Sequence, residues 1–126
     1  MKLRLLDGLP FVSVAIIAQG HAMRLKAVLL DTGSAGTILA ADRLAEIGLT
    51  YSPHDEVHRI RGVGGVEFVF TKRVEQLMVG ELTVEDFTIE VGAMDYGFLI
   101  DGTLGMDFLK SVGAVIDLGD MEIRAR

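Results

Sequence analysis

One short segment constrains the fold of this chain more than any other: residues 28–34, Val-Leu-Leu-Asp-Thr-Gly-Ser. The apolar residues predict the buried end of a β-strand, and the Thr32-Gly33 pair directly after Asp31 predicts a tight turn. We therefore expect a carboxylate at the exposed end of a buried strand, where glycine lets the backbone approach it closely. The chain contains the triplet Asp31-Thr32-Gly33 only once.

Length and composition predict one soluble domain over residues 1–126. Half of the 126 residues are hydrophobic, which is enough for one core but not for two large lobes. Cysteine is absent, so neither a disulfide framework nor a thiolate metal site is expected, and a reducing compartment would be tolerated. The predicted location is cytoplasmic, although the cysteine count alone does not establish it. The net charge of -6, with both signs mixed along the chain, argues against nucleic acid or an anionic membrane as a partner.

The N-terminal segment superficially resembles a signal peptide, because Lys2 and Arg4 precede an apolar run. Asp7, Gly8 and Pro10 interrupt this run. Its uninterrupted part, residues 11–18, is far shorter than the roughly 18 residues that span a bilayer. We expect these residues to form a first β-strand, and we expect no membrane segment.

Short strands dominate the predicted secondary structure, so the predicted fold class is mainly β. The predicted strands are Phe11 to Ala18, Met23 to Leu30, Val57 to Ile60, Val66 to Phe70, Val74 to Val79, Thr83 to Val91, Tyr96 to Ile100, Ala114 to Leu118 and Met121 to Ala125. A short helix is expected over residues 41–47, stopped by Gly48, and a turn-helix unit over residues 101–111. Apolar strand, glycine turn and helix thus occur twice, which suggests pseudo-twofold halves.

These features together resemble the retropepsin-like (retroviral-type) aspartic proteases, the single-domain, homodimeric relatives of pepsin, and particularly their bacterial members. The resemblance extends over about residues 9–123 and rests on three segments in the right order: Asp31-Thr32-Gly33-Ser34, the glycine-tipped hairpin at residues 62–65, and residues 103–109. It implies a closed β-barrel with a flap hairpin and one or two short helices. It also implies a homodimer that cuts a peptide or protein substrate without a metal or other cofactor.

The resemblance assigns catalytic roles to Asp31, Thr32, Gly33 and Ser34. Asp31 from each of two subunits would share one proton, and the pair would activate a water for attack on the peptide bond. Thr32 resembles the residue whose hydroxyl bridges to the opposite subunit, and Gly33 permits close approach to the carboxylates. The Ser34 hydroxyl either donates to the outer carboxylate oxygen, which would lower the pKa values of the pair, or only closes the turn as a local backbone partner.

A substrate-binding flap is expected at Arg61, Gly62, Val63, Gly64 and Gly65, with Val63 at its tip. An extended peptide would pair beneath it as an added strand, with apolar pockets choosing its side chains. The glycine spacing does not continue as a dinucleotide-binding loop, because position 67 is glutamate. A flexible surface turn remains the alternative.

Supporting roles behind the active site are expected for Leu104, Gly105 and Asp107, with Asp107 ordering the turn or the helix start. Asp101 follows an apolar pair as Asp31 does. Because Gly102-Thr103 inverts the order of the Thr-Gly pair, we do not expect Asp101 to be the second catalytic carboxylate.

Two features depart from the viral members of the family. Viral members place an acidic residue soon after their Asp-Thr-Gly-Ala stretch, for a subunit-bridging ion network, whereas Ala35-Gly36-Thr37 supplies no charge here. The dimer contacts are therefore expected to differ. The chain end, residues 121–126, alternates in a way that suits exchange of terminal strands between subunits, although it also carries two arginines.

Two other functions remain open from the sequence. A non-catalytic peptide-binding or interaction domain could have the same fold. A metallohydrolase could use His54 and His58, which lie four residues apart, but Asp55 stands where the catalytic glutamate should be and Pro53 favours an extended segment. A third ligand is not evident, so we expect no metal site.

Overall fold

The computed structural model describes residues 1–62, 65–94 and 100–126, which form ten strands and two short α-helices. The strands are β1 (Arg4–Leu6), β2 (Leu9–Ala18), β3 (His21–Leu30), β4 (Ile38–Ala40), β5 (Val57–Gly62), β6 (Gly65–Val79), β7 (Leu82–Gly92), β8 (Gly102–Leu104), β9 (Val115–Asp117) and β10 (Glu122–Arg124). The helices are α1 (Ala41–Leu44), followed by a 3₁₀ turn at Ala45–Ile47, and α2 (Met106–Ser111). The predicted mainly β class with two short helices is confirmed.

Two-residue turns determine the register of the first two hairpins. Gln19 and Gly20 both have positive φ angles, 53° and 77°, and Ala18 pairs with His21 across them. Asp7 and Gly8 do the same between β1 and β2, with φ angles of 52° and 78°. Such turns match the right-handed twist of paired strands. Both strands joined by Gln19 and Gly20 were predicted from the sequence, whereas Asp7 and Gly8 were interpreted only as an interruption of the apolar run, so β1 was missed.

The predicted strands Val66 to Phe70 and Val74 to Val79 are one strand of 15 residues, β6. The polar residues between them do not interrupt it, because neither glycine nor proline is present there and Lys72 pairs with Asp55 on a largely covered surface. The first part of β6 pairs with β5 and its last part pairs with β2, while β7 runs antiparallel along most of its length. One long strand therefore connects the predicted flap hairpin to the body of the sheet.

Six strands close into a ring in the order β2, β3, β8, β4, β7 and β6. Pairing between β2 and β6, with Ala15 opposite Met78, completes it. The resemblance implied a closed sheet, and the structure has a closed ring of six strands. Its interior is apolar and includes fully covered side chains from several strands: Val14, Ile16, Leu25, Leu77 and Ile89. Burial of such side chains is the main stabilising contribution in a fold of this size.

A second, small sheet holds both ends of the chain. β10 pairs with β9 on one side, and on the other side Ile123 exchanges two hydrogen bonds of 2.9 Å with Met1. Both edges of β10 are therefore occupied by its own chain. Within one chain, residues 1–3 thus occupy the edge of β10 that β9 leaves open, while exchange of terminal strands between subunits stays a prediction.

Two further predictions concern the strand at residues 96–100 and the turn-helix unit at residues 101–111. Most of the predicted strand Tyr96 to Ile100 lies outside the described residues, and Ile100 itself is buried but belongs to no strand. The predicted turn-helix unit over residues 101–111 contains β8 before α2 begins. In the described part of the chain, none of the helices has the length and apolar character needed to cross a membrane.

Candidate active site

The turn that carries Asp31 crosses the end of β8. The chain leaves the sheet at Leu30, which pairs with Leu104 on one side of β8, and re-enters it at Ile38, which pairs with Thr103 on the other. Residues 31–37 must therefore pass over the end of β8, where Gly105 lies. A methyl group at position 105 would collide with the carbonyl oxygens of the turn, so only glycine fits beneath it.

Among the described residues, hydrogen bonds hold the backbone of Asp31 and one backbone group contacts its carboxylate. The backbone N–H of Asp31 donates to the carbonyl of Leu104 at 3.0 Å, and the N–H of Gly33 donates to Asp31 Oδ1 at 2.9 Å. Asp31 is half-buried, whereas Thr32 and Gly33 are exposed. The structure therefore presents one carboxylate at the surface, with one of its oxygens accepting a hydrogen bond and the other turned to no donor in the described part of the chain.

The Ser34 hydroxyl donates to the carbonyl of Gly36 at 2.7 Å and not to Asp31. Of the two roles left open by the sequence, the structure therefore has the local one, closure of the turn. The alternative, donation to the outer carboxylate oxygen, is not formed in this chain. Asp31 instead depends on the backbone geometry that this closure maintains.

The helix α2 holds the far side of the turn. Its first backbone N–H groups donate to turn carbonyls, Met106 to Ser34 at 2.8 Å and Asp107 to Ala35 at 3.1 Å. A short helix leaves its first N–H groups without partners inside the helix, so the turn supplies acceptors that these groups would otherwise lack. The turn and the start of α2 therefore stabilise each other.

Asp107 binds the end of the turn through Thr37, which is fully buried. The Thr37 hydroxyl donates to Asp107 Oδ1 at 2.7 Å, and the Thr37 backbone N–H donates to Asp107 Oδ2 at 3.1 Å. The same hydroxyl accepts a hydrogen bond of 3.1 Å from the backbone of Gly105. The structure thus places all three predicted supporting residues, Leu104, Gly105 and Asp107, against the turn, and it adds Thr37, which the sequence analysis missed.

Asp101 has a different set of contacts. Its carboxylate is buried, accepts a hydrogen bond of 3.0 Å from the backbone of Ala27 and forms an ion pair of 2.9 Å with Arg43. Its backbone also bonds to Ala27 and Ala40. Asp101 therefore connects β3, β4 and α1. That it is not the second catalytic carboxylate stays a prediction.

The predicted flap is described only in part. β5 and β6 pair antiparallel from Val57 opposite Phe70 to Gly62 opposite Gly65. The predicted tip, Val63 and Gly64, lies outside the described residues, and the side chain of Arg61 is not described either. A hairpin is therefore present at the predicted position, while the role of Arg61 to Gly65 in binding substrate stays a prediction.

The histidines of the rival metal site have acidic neighbours but do not form a three-ligand group in the described part of the chain. His58 Nε2 lies 3.2 Å from Glu56, and His54 is exposed. The one group of three possible ligands found there is Asp117, Asp120 and Glu122, far along the sequence. Arg124 lies within 4.0 Å of two of these carboxylates and supplies their positive partner. Neither group indicates a metal centre.

Comparison with known protein families identifies the family to which this chain belongs. A family model described as aspartyl protease matches residues 14–108, which include the turn at Asp31, the β5–β6 hairpin and the start of α2. The match covers more than half of the chain, so the chain belongs to this family of retropepsin-like aspartyl proteases. No curated protein sequence matches it.

Proposed function

We propose that this protein is an aspartic endopeptidase whose active site forms between two copies of the chain, with Asp31 of each copy as one half of the catalytic pair. The observation that carries the proposal is the half-buried Asp31 carboxylate on a turn held by Leu104, Gly105 and Asp107, in a member of the aspartyl protease family. One carboxylate cannot act as acid and base in the same step, whereas two that share a proton can.

The proposed chemistry uses the pair in two protonation states. The ionised Asp31 would take a proton from a water molecule between the two carboxylates, and the protonated one would donate a hydrogen bond to the carbonyl oxygen of the scissile bond. Water would then attack the carbonyl carbon without a covalent enzyme intermediate. The Gly33 N–H that already donates to Asp31 at 2.9 Å would hold the carboxylate in the plane of its partner.

The edge of β9 that faces away from β10 is a candidate surface for binding the second copy of the chain. The N–H and C=O of Ile123 point to Met1, so those of its neighbours Glu122 and Arg124 point to β9. Ile116 lies opposite Ile123, and its N–H and C=O therefore point away from β10. In the described part of the chain no strand pairs with this edge. A second copy could add there by antiparallel pairing about a twofold axis, with the two Ile116 residues facing each other.

This edge lies beside the active-site turn. A shallow hollow is shared by the turn, α2 and β9, and its lining includes Thr32, Met106, Leu109, Lys110, Ala114 and Ile116. Two copies paired through β9 would therefore bring their Thr32 side chains towards the same axis. This arrangement is compatible with the hydroxyl bridge between subunits that the family resemblance implies for Thr32.

The substrate would be an extended peptide lying between the Asp31 turn and the β5–β6 hairpin.

We include a cytoplasmic location in the proposal because a chain without cysteine needs no oxidising compartment to fold. A non-catalytic peptide-binding domain is the second candidate. It is favoured by one observation, that a single chain presents a single Asp31 carboxylate at this turn.

A mixing experiment separates the two candidates. Wild-type chain should form a dimer by analytical ultracentrifugation and cut members of a fluorogenic peptide library between about pH 4 and pH 7. The Asp31→Asn variant should dimerise but not cut, and its excess should suppress wild-type activity, because each mixed dimer has only one ionisable carboxylate at the pair. Activity that survives a large excess of the variant would show that one Asp31 is sufficient and would refute the shared site.

A further inference from the structure

The carboxylate of Glu90 fills the place where a side chain at position 36 would be. Glu90 belongs to β7, pairs with Ile38 in a parallel register, and donates its backbone N–H to the carbonyl of Thr37 at 2.9 Å. Its side chain turns towards the end of the Asp31 turn, and Glu90 Oε1 occupies the space next to the Cα of Gly36. A carboxylate thus replaces the side chain that the turn itself lacks at this point.

This carboxylate is only partly covered and only partly neutralised. The Glu90 side chain is 21% exposed, and its nearest described basic group is His58, whose Nδ1 lies 3.9 Å from Glu90 Oε2. Partial burial raises the pKa of Glu90, the charge of His58 opposes this rise, and the negative charge of Asp107 adds to it. His58 is itself shared with Glu56 at 3.2 Å. Negative charge therefore exceeds positive charge around Glu90 among the described side chains.

Glu90 also lies where the two walls of the proposed peptide cleft meet. His58 comes from β5, the first strand of the predicted flap hairpin, and Gly36 comes from the turn that carries Asp31. Gly36 is five residues beyond Asp31 and its carbonyl holds the Ser34 hydroxyl, so Glu90 contacts the same closed turn as the proposed catalytic group. A peptide side chain placed beside Gly36 would meet the Glu90 carboxylate.

We propose that Glu90 determines specificity, by selecting peptides that carry lysine or arginine at the position bound beside Gly36. An ammonium or guanidinium group forms short, charge-assisted hydrogen bonds with a carboxylate, and it would balance the excess negative charge there. A glutamate or aspartate in the same position would be repelled by Glu90 and rejected. This inference rests on the proposed binding of an extended peptide between the hairpin and the Asp31 turn.

The test compares peptide libraries that vary one position at a time. Wild-type protein should prefer lysine or arginine over the neutral glutamine at one position by about tenfold to a hundredfold in kcat/KM. Glu90→Gln, which keeps the shape of the side chain, should reduce this preference to about twofold or less, chiefly by lowering kcat/KM for the peptides with lysine or arginine. Glu85→Gln is the matched control, because Glu85 lies on the same strand but is exposed and bonded to Gln76. It should keep the full preference.

His58 provides a second, independent variant. His58→Gln removes the imidazole that lies 3.9 Å from Glu90 and competes for its carboxylate, so the preference for a basic side chain should increase. A variant that merely disturbed the hairpin would lower the binding of all peptides alike. An unchanged ratio of basic to neutral peptides would contradict a role for Glu90 in substrate choice.

Binding to the uncleaving Asp31→Asn variant separates this inference from the proposed catalysis. Fluorescence anisotropy of labelled peptides should show the same basic preference, and its loss when Glu90→Gln is added. If that result is obtained but wild-type protein cuts nothing, the specificity inference stands and the proposed protease function fails. If wild-type protein cuts peptides with no basic preference, or with one that Glu90→Gln leaves intact, the inference is overturned and the proposed function stands. Absence of any peptide binding overturns the inference.

Discussion

Replacement of Thr37 by valine is expected to destabilise the protein by about 3 kcal/mol, because one buried hydroxyl carries two hydrogen bonds. Thr37 is fully buried, donates to Asp107 Oδ1 at 2.7 Å and accepts from the N–H of Gly105 at 3.1 Å. Valine has nearly the same volume, so the change leaves no cavity. A hydrogen bond to a charged group contributes about 1.5–3 kcal/mol, and an unsatisfied buried N–H costs about 1–3 kcal/mol. Asp107 keeps two backbone donors, Thr37 and Phe108, which favours the lower half of the combined range.

Urea unfolding at neutral pH measures this loss, provided that the dependence on urea is the same for each variant. Thr37→Ser keeps the hydroxyl and should lose only about 1 kcal/mol for the missing methyl group. Thr50→Val is the surface control, since Thr50 is exposed, and should change stability by less than about 0.5 kcal/mol. A loss below about 1 kcal/mol for Thr37→Val, or one equal to that of Thr37→Ser, would refute the importance of these hydrogen bonds.

The same substitution should reduce activity by more than the unfolded fraction explains. Thr37 and Asp107 connect the end of the Asp31 turn to α2, and the first N–H groups of α2 bind the carbonyls of Ser34 and Ala35. Loosening this connection lets the turn move away from the geometry in which Asp31 is held. Peptide cleavage per folded molecule, measured below the onset of unfolding, would show the effect as a lower kcat with little change in KM.

Three further changes probe the partner edge and two carboxylates. Ile116→Pro removes the N–H that faces away from β10, so its sedimentation should shift from dimer towards monomer, whereas that of Ile116→Val should not. A dimer that Ile116→Pro leaves unchanged would exclude the β9 edge as the subunit interface. Lys72 lies 2.8 Å from Asp55 and lowers the pKa of its carboxyl group. The pair therefore stabilises the protein above the ordinary aspartate pKa, and this stabilisation is lost as the pH falls through the lowered pKa of Asp55. Asp55→Asn should therefore lower the melting temperature at pH 7 and much less near pH 2. Burial raises the pKa of Glu90, so the ionised carboxylate destabilises the protein once the pH has risen through that pKa. Glu90→Gln should therefore raise the melting temperature at pH 7 but not at about pH 3. An equal change in melting temperature at both pH values would contradict this direction of the pKa shift.

Local sequence rules predicted the elements whose geometry is determined within a few residues. The Gln19-Gly20 turn has a composition that tolerates positive φ angles, and these angles determine the hairpin register of β2 and β3. Gly48 ends the first helical segment in the left-handed conformation, with φ of 78°, as its position predicted. The Asp31 turn belongs to the same group, because its strand, its aspartate and its glycine are consecutive.

Elements that depend on distant partners could not be predicted in the same way. β4 and β8 have three residues each and are strands only because each lies between two neighbours in the ring. Thr37 and Asp107 are 70 residues apart, and nothing near Thr37 in the sequence marks it as the partner of a carboxylate. Glu90 was missed for the same reason, since its relation to Gly36 exists only once β7 is paired with β4.

The internal repeat shows why one chain supplies only half of the proposed site. By sequence, the repeat aligns Asp31 with Asp101, because each aspartate follows an apolar pair. The parallel pairing of β3 and β8 gives a different correspondence: Leu30 lies beside Leu104, so the position equivalent to Asp31 is Gly105. Gly105 cannot be exchanged for a residue with a carboxylate, because the carbonyls of the turn already occupy the space of its Cβ. Asp101, four residues earlier, is bound by Arg43 and Ala27 below the site. The second half of the repeat therefore supports the Asp31 turn and does not duplicate it, which agrees with our proposal that the second carboxylate comes from another copy of the chain.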